Sequence, residues 1–222
     1  MLALIVICSG ILLPSAAAVH SQGLEWKIEV NDRYDFSLVY RIDYPIVGKH
    51  EYVGDVYCIV TQIPTIPDPV TNLTSIDLVK SDSFWANGTP VSSEILSSLF
   101  FAYPTGNWSL IQSLQGEQPS YVEQQYFETA DVWGVTRDAK GPAAPFQGHA
   151  VMEFIKESGV AGYLLYEHTN TLGNTTQSYY LELTLEGYTP LGKGGINLLL
   201  VGGVVGAAVV VGVALLFIKK RH

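Results

Sequence analysis

The chain has 222 residues, 48% of them hydrophobic, with 21 acidic and 12 basic side chains and a formal net charge of −9. That balance argues against a nucleic-acid partner and against docking onto an anionic membrane surface. Of two cysteines, Cys8 lies in an N-terminal apolar run, so Cys58 is left without an intrachain disulfide partner once that run is removed.

Leu2 to Leu13 is almost wholly apolar, Pro14 breaks it, and Ser15 to Ala18 supplies small residues of the kind a signal peptidase accepts. A signal peptide over 1–18 is expected, cleaved after Ala18; an uncleaved N-terminal anchor is the alternative. Ile7 before Cys8 is the wrong neighbour for a lipidated cysteine. Roughly 175 residues then separate the two apolar ends of the chain, a usual size for one domain. The domain is placed at 19–187.

Its dominant period is two. Leu24 to Val30 alternates apolar and charged residues, and Tyr34 to Tyr44 puts Tyr34, Phe36, Leu38, Tyr40, Ile42 and Tyr44 on one side. Strands buried on one face give this pattern, and Asn31-Asp32-Arg33 between them predicts an antiparallel hairpin. Val53 to Ile63 reads as a central strand, with Cys58 a small buried hydrophobe within it. The prolines of Ile63 to Pro69 cannot sit in a ladder, so a pre-organised surface loop follows, and Pro64, Ile66, Pro67 and Pro69 are its candidate binding residues.

Ile76 to Ala86 is a weaker strand. Asn87-Gly88 predicts a type I′ turn into a short return strand near Val91. Ser93 to Phe101 fits a helix or a strand. Asn107 to Leu114 predicts a short helix capped by Asn107 and ended by Gly116. Tyr121–Phe127, Val132–Thr136, Ala150–Lys156, Val160–Thr169 and Tyr179–Glu186 read as strands, the last three as a meander. The sum is a mainly β (α+β) fold: one antiparallel, curved sheet, or a two-sheet sandwich, with one or two short helices.

A linker at 188–195 leads to 196–218, an uncharged apolar stretch long enough as a helix to cross a hydrocarbon core of about 30 Å. Lys219, Lys220 and Arg221 follow, within a basic tail at 219–222, and mark the cytoplasmic side. The expected location is therefore the cell membrane: a single pass through the lipid bilayer, N-terminus outside, C-terminus cytoplasmic. Gly202 and Gly206, with Gly203 and Ala207 at the same spacing, supply small residues for close helix packing, so a homodimer through this helix is one expected partnership.

Four Asn-X-Ser/Thr sequons, at Asn72, Asn87, Asn107 and Asn174, fall on the expected outer side and suit a glycoprotein. Pro90 weakens Asn87, leaving Asn72 and Asn174 the better candidates. No catalytic motif is found. None of the five histidines stands at metal-ligand spacing with another, and neither a nucleophile elbow nor a phosphate-binding loop occurs in the outer domain. No catalytic residue, metal ligand or cofactor is assigned.

Gly23-Leu24-Glu25-Trp26 through Asp32-Arg33-Tyr34-Asp35-Phe36, with Gly106-Asn107-Trp108-Ser109-Leu110 and Ser158-Gly159-Val160, resembles recurrent elements of uncharacterised single-pass surface proteins of Asgard archaea. The resemblance covers about a third of the chain. It implies an archaeal cell-surface location and a β-rich outer domain, and no activity. The function expected is binding of an extracellular protein or ligand, or contact with neighbouring envelope proteins, without catalysis. The alternative is a half-barrel carrier of a lipid or other apolar ligand. A hydrolase would need carboxylates, or a histidine and a carboxylate, converging in a pocket.

Overall fold

The computed structural model describes residues 22–44, 48–91, 102–116, 118–140, 146–172 and 175–191. The expected signal peptide, the 93–101 segment, the sequon at Asn174, the apolar stretch 196–218 with its glycines, and the basic tail lie outside the described residues. Among the described residues no helix is long and apolar enough to cross a membrane.

The strands are β1 (Arg33–Tyr44), β2 (Gly48–Gln62), β3 (Lys80–Trp85), β4 (Val122–Glu128), β5 (Val132–Ala139), β6 (Gln147–Ile155), β7 (Ala161–Leu172) and β8 (Thr175–Leu185). They form one eight-stranded sheet in the order β3-β2-β1-β8-β7-β6-β5-β4. Every pairing is antiparallel. The fold is mainly β, as the period-two patterning predicts, and consists of a single sheet rather than a sandwich.

Alternation sorts each strand into an inner and an outer side. The inner side carries Phe36, Leu38 and Tyr40 of β1, Val56, Cys58 and Val60 of β2, Trp133 and Val135 of β5, Met152 and Phe154 of β6, Leu164 of β7 and Leu183 of β8, all buried in one core. Three cover segments lie on it, at 22–30, 63–79 and 102–115. They contribute Leu24 and Ile28, then Val70, Leu73, Ile76 and Val79, then Ala102 and Ile111 to the same core. The segments are tied together by polar groups as well. Trp26 Nε1 donates to the Pro64 carbonyl at 2.8 Å, and the Val70 amide donates to Gln22 Oε1 at 2.8 Å.

Leu24 to Val30 is one of these cover segments, which corrects the expected hairpin with β1. Among the described residues its only ladder contact is the Glu25–Thr105 bridge, while β1 pairs with β2 and β8. The alternation is genuine, because Leu24 and Ile28 are buried and Trp26 half-buried. An extended segment can bury such a face by crossing over a sheet as well as by joining its edge, and periodicity is the same in both cases.

The turn after β3 is also corrected. The Gly88 amide donates to the Trp85 carbonyl at 2.8 Å, so Ala86 and Asn87 occupy the turn's centre, and of Asn87 and Gly88 only Gly88 has a positive φ, at 83°. Asn87 Oδ1 instead accepts from the Thr89 amide and hydroxyl, the local bonding by which Asn shapes turns. The return to Val91 is a single bridge at Phe84–Pro90.

Helix α1 (Trp108–Ser113) forms where expected. Asn107 caps it, accepting from the Leu110 amide at 3.0 Å, and Gly116 follows with a positive φ of 70°. Trp108 of α1 stacks on Trp133 of β5 with ring centroids 5.4 Å apart, which fixes the helix over one half of the sheet.

Candidate functional site

Two places in the fold gather groups able to recognise another molecule. One is on the inner side of β5. Its alternation puts Arg137 on the same face as Trp133, Val135 and Ala139, and Arg137 is only 2% exposed. Its Nε donates to Gln124 Oε1 of β4 at 2.6 Å, and its Nη2 donates to Gln115 Oε1, just past α1, at 2.6 Å. The Gln124 amide donates in turn to the Tyr126 hydroxyl. Nη1 is buried and has no hydrogen-bond partner. Among the described residues no carboxylate pairs with this cation.

Burial and the cation act on the ionisation of the groups around it. Burial pushes the Arg137 guanidinium down, against the favourable field of Tyr103 and Tyr126. Burial pushes the Tyr126 phenol up to about 12, with the guanidinium pulling the other way. Burial raises the Tyr103 phenol too, opposed by Arg137 and Gln115. The Gln115 amide nitrogen thus lies near enough to influence that phenol, yet makes no hydrogen bond of normal geometry.

The residues beside Arg137 on the neighbouring strand are small. Ala150 stands opposite Arg137 across the β5–β6 ladder, and Gly148 opposite Ala139. With Val122, Phe146 and Tyr166 they line a cavity of about 20 Å³, about the room a single water needs. Beyond it the inner face is aromatic. Tyr166 and His168 of β7, Tyr179 of β8 and Tyr40 of β1 contact one another at centroid distances of 5.4–5.5 Å.

His168 is held there as a neutral ring: burial pushes its pKa down, and its Nδ1 is buried without a partner. The unfolded chain therefore takes up a proton that the folded chain resists. Stability from this group is full above the ordinary histidine pKa of about 6.5 and is lost as pH falls from there through the lowered folded value. Urea titrations at pH 7.5 and 5.5 should show the midpoint falling, and falling less in His168→Phe, which keeps the stacking on Tyr179. An unchanged fall in the variant would assign the pH dependence to other groups.

The second place is on the outer side. The registers align Glu51, Arg41, Tyr180, Glu167, His149, Asp138 and Glu123 in one row across seven strands. Arg41 donates through Nε to Glu51 at 2.6 Å, and its guanidinium lies 5.5 Å from the Tyr180 ring centre. His149 Nδ1 and Asp138 Oδ1 are 2.8 Å apart. Burial, then the hydrogen bond to Glu182, raises the Tyr180 phenol to about 12. A groove of about 430 Å³ covers the middle of this row, from Arg41 to His149, lined by Arg41, Gln147, His149, Glu167, Thr169 and Tyr180 among others. The exposed ion pairs of this row contribute little to stability. Glu167 and His168 point to opposite faces, as adjacent residues on a strand must.

The expected site residues are distributed as follows. Pro64 offers its carbonyl to Trp26, Ile66 and Pro67 are half-buried with Ile66 against the core, and Pro69 is exposed after a cis Asp68–Pro69 bond. Asn72 and Asn87 are exposed, each accepting from its sequon threonine hydroxyl, at 2.6 and 2.7 Å. Asn107 is half-buried, with its Oδ1 capping α1 and its Nδ2 donating to the Gln22 carbonyl at 2.9 Å. Cys58 is fully buried, its Sγ 3.2 Å from Ser83 Oγ, and burial raises its thiol pKa. Among the described residues no group of three or more histidine, cysteine or acidic side chains could hold a metal ion.

Two groups escaped the reading of the sequence. Arg137 had a signal: extending the β5 alternation past Thr136 puts an arginine inward. Glu153 had none. It sits on the outer side of β6 and is fully buried because the chain after β8 folds back over it. The Tyr188 hydroxyl donates to Glu153 Oε2 at 2.7 Å, the Leu191 amide donates to the same oxygen at 3.0 Å, and the Tyr188 ring fills the space beside Gly162. No protein-family model, no curated protein and no solved structure matches this chain.

Proposed function

We propose that the chain is a single-pass surface protein whose acidic β-domain stands just outside the membrane and binds a polar extracellular partner through the outer face of its sheet. The observation that carries the binding reading is the groove along the Arg41–Tyr180–Glu167–His149 row. It offers a cation, a carboxylate, an imidazole and an aromatic ring in register across neighbouring strands, a combination suited to polar ligands. The apolar stretch 196–218 with its basic flank supports the anchor, and the resemblance to Asgard archaeal surface proteins agrees with it.

The strap at 188–191 bears on geometry. The expected linker is bonded to the sheet as far as Leu191, so only 192–195 remain between the sheet and the apolar stretch. A domain tethered in this way lies close to the bilayer. Among the described residues the sequons at Asn72 and Asn87 are exposed and so the better placed for glycans, whereas Asn107 is half-buried, its Oδ1 capping α1 and its Nδ2 donating to the Gln22 carbonyl.

The carrier alternative has Arg137 and the aromatic inner face in its favour. Against a bulky cargo stands the filling of that face by Trp133, Phe154, Leu38, Ile111 and Leu183.

The reading is tested on intact cells. Protease added from outside should digest the β-domain and spare a short C-terminal stub. A photo-crosslinking residue placed at Tyr180 should capture an extracellular neighbour, and Arg41→Glu should abolish the capture. A sheet left undigested would remove the location; capture indifferent to Arg41→Glu would remove the docking face.

A further inference from the structure

Three long side chains of the outer row are each held away from its centre. Glu51 draws Arg41 toward β2, at 2.6 Å, and Asp138 draws His149 toward β5, at 2.8 Å. The Tyr180 hydroxyl donates to Glu182 Oε2, two residues further along β8, at 2.7 Å. That bond lays the ring along its strand and turns it away from Ser178, two residues back on the same face. The groove occupies the space these bonds leave, with exposed Glu167 standing between Tyr180 and His149. A second row, Ser178, Thr169 and Gln147, runs beside the first. Neighbouring strands are about 4.8 Å apart, and same-face positions along a strand about 6.7 Å. The groove is therefore a grid of hydroxyl, amide, carboxylate and imidazole groups beside an aromatic ring.

The lining narrows the chemistry of what could bind. Among the described residues that line the groove, Arg41 and Glu167 carry the fixed charges, one of each sign. A ligand with a net charge is attracted by one and repelled by the other, and an anion would also compete with Glu51 for Arg41. A hydrocarbon would strip water from these polar groups without replacing its hydrogen bonds. A peptide strand gains no ladder here, because β1, β8, β7 and β6 beneath the groove each have a neighbour on both sides. A neutral molecule rich in hydroxyls meets none of these costs. Each hydroxyl both donates and accepts. Adjacent hydroxyls can donate to the two oxygens of one carboxylate, where hydrogen bonds are strong, and a C–H face can pack on an aromatic ring.

We propose that the groove is a binding site for a neutral saccharide, whose adjacent hydroxyls donate to Glu167 and whose C–H face packs on Tyr180. Gln147, Thr169 and His149 bond its remaining hydroxyls. The inference rests on the outer-face docking reading and deepens it: the polar extracellular partner is recognised through a glycan. The site needs no rearrangement to admit a sugar ring, since Arg41, His149 and Tyr180 are already bonded aside.

The test uses the full chain in fluorescent lipid nanodiscs, with empty discs subtracted. The discs are applied to an array of neutral, sialylated and sulfated oligosaccharides. They are also applied to isolated cell envelopes before and after periodate, which cleaves vicinal diols. Neutral oligosaccharides should be bound at least tenfold more strongly than charged ones, and periodate should cut envelope binding at least fivefold. Glu167→Ala and Tyr180→Ala should each lower both signals at least tenfold. Val53→Ala, on the same face outside the groove, should leave them unchanged. Near-UV circular dichroism checks that each variant is folded; if Tyr180→Ala is not, Glu167→Ala decides. A preference for charged glycans, no binding to any neutral one, or undiminished binding in Glu167→Ala would each overturn the proposal. Envelope binding that survives periodate but is lost in Arg41→Glu would overturn the saccharide and keep the docking face. No envelope binding by the parent chain would remove both readings.

Discussion

Trp133→Ala should lower the unfolding free energy by about 3–5 kcal/mol, the range for truncating a large aromatic in a packed core. Trp133 is 1% exposed. Its ring lies 5.4 Å from Trp108, 5.7 Å from Tyr126, 5.9 Å from Phe154 and 6.4 Å from Tyr103, measured between centroids. The residue therefore joins α1, β4, β6 and the 102–105 cover segment at one point. Removing it leaves a cavity that four surrounding rings cannot close without leaving their own contacts. Urea unfolding at neutral pH gives the measurement. Val53→Ala, on the outer face and 62% exposed, serves as the comparison and should fall within about 0.5 kcal/mol of the parent. A Trp133→Ala loss below about 1 kcal/mol would mean that the aromatic group does not form the centre of the core.

Gly159→Ala should be comparably damaging for a different reason. Gly159 has φ of 77°, and a Cβ there would come within 2.0 Å of the Tyr103 carbonyl oxygen. The left-handed conformation alone costs an alanine about 1–2 kcal/mol; the collision with backbone adds to it, for a total above about 3 kcal/mol. The turn cannot swing aside easily. The Tyr103 amide donates to the Gly159 carbonyl at 2.9 Å, and the Gly159 amide donates to the Ile155 carbonyl at 2.7 Å. Gly48 separates the two costs, since its φ is 87° and nothing lies within 4 Å of a Cβ there. Gly48→Ala should lose only the conformational part. Equal losses at the two positions would show that the contact with Tyr103 contributes nothing.

Much of the sheet was legible because a strand buried on one side writes its partition into alternate residues. Tyr34 to Tyr44, Tyr179 to Glu186 and the β6–β7–β8 meander follow from that pattern, and the Asn107 cap with Gly116 marks α1. Leu24 to Val30 shows the limit. Its alternation records that one face is buried and carries no information on whether its backbone joins a ladder or crosses over one. Strand ends were misjudged for a related reason: β2 starts at Gly48 and β7 runs to Leu172, where polar residues pair through the backbone without a hydrophobic signature.

The candidate sites were less legible still. The outer row exists because seven strands stack in one register, and no local spacing relates Arg41 to Tyr180 or Glu167 to His149. Arg137 was inward by alternation, but its partners Gln124 and Gln115 depend on what β4 and the segment after α1 bring to it. Glu153 reads as an outward, solvated acid in its own strand, and only the return of Tyr188 and Leu191 buries it.

From its residues alone this chain determined a β-rich domain and the sides on which its strands are apolar, since both follow from periodicity within a few neighbouring positions. The order of the strands, the cover over the inner face, the partners of the buried Arg137 guanidinium and the strap over Glu153 were decided by tertiary structure. Each depends on groups far apart in the chain meeting in space, and the free energy of a buried charge or carboxylate is set by those neighbours and not by its own position in the sequence.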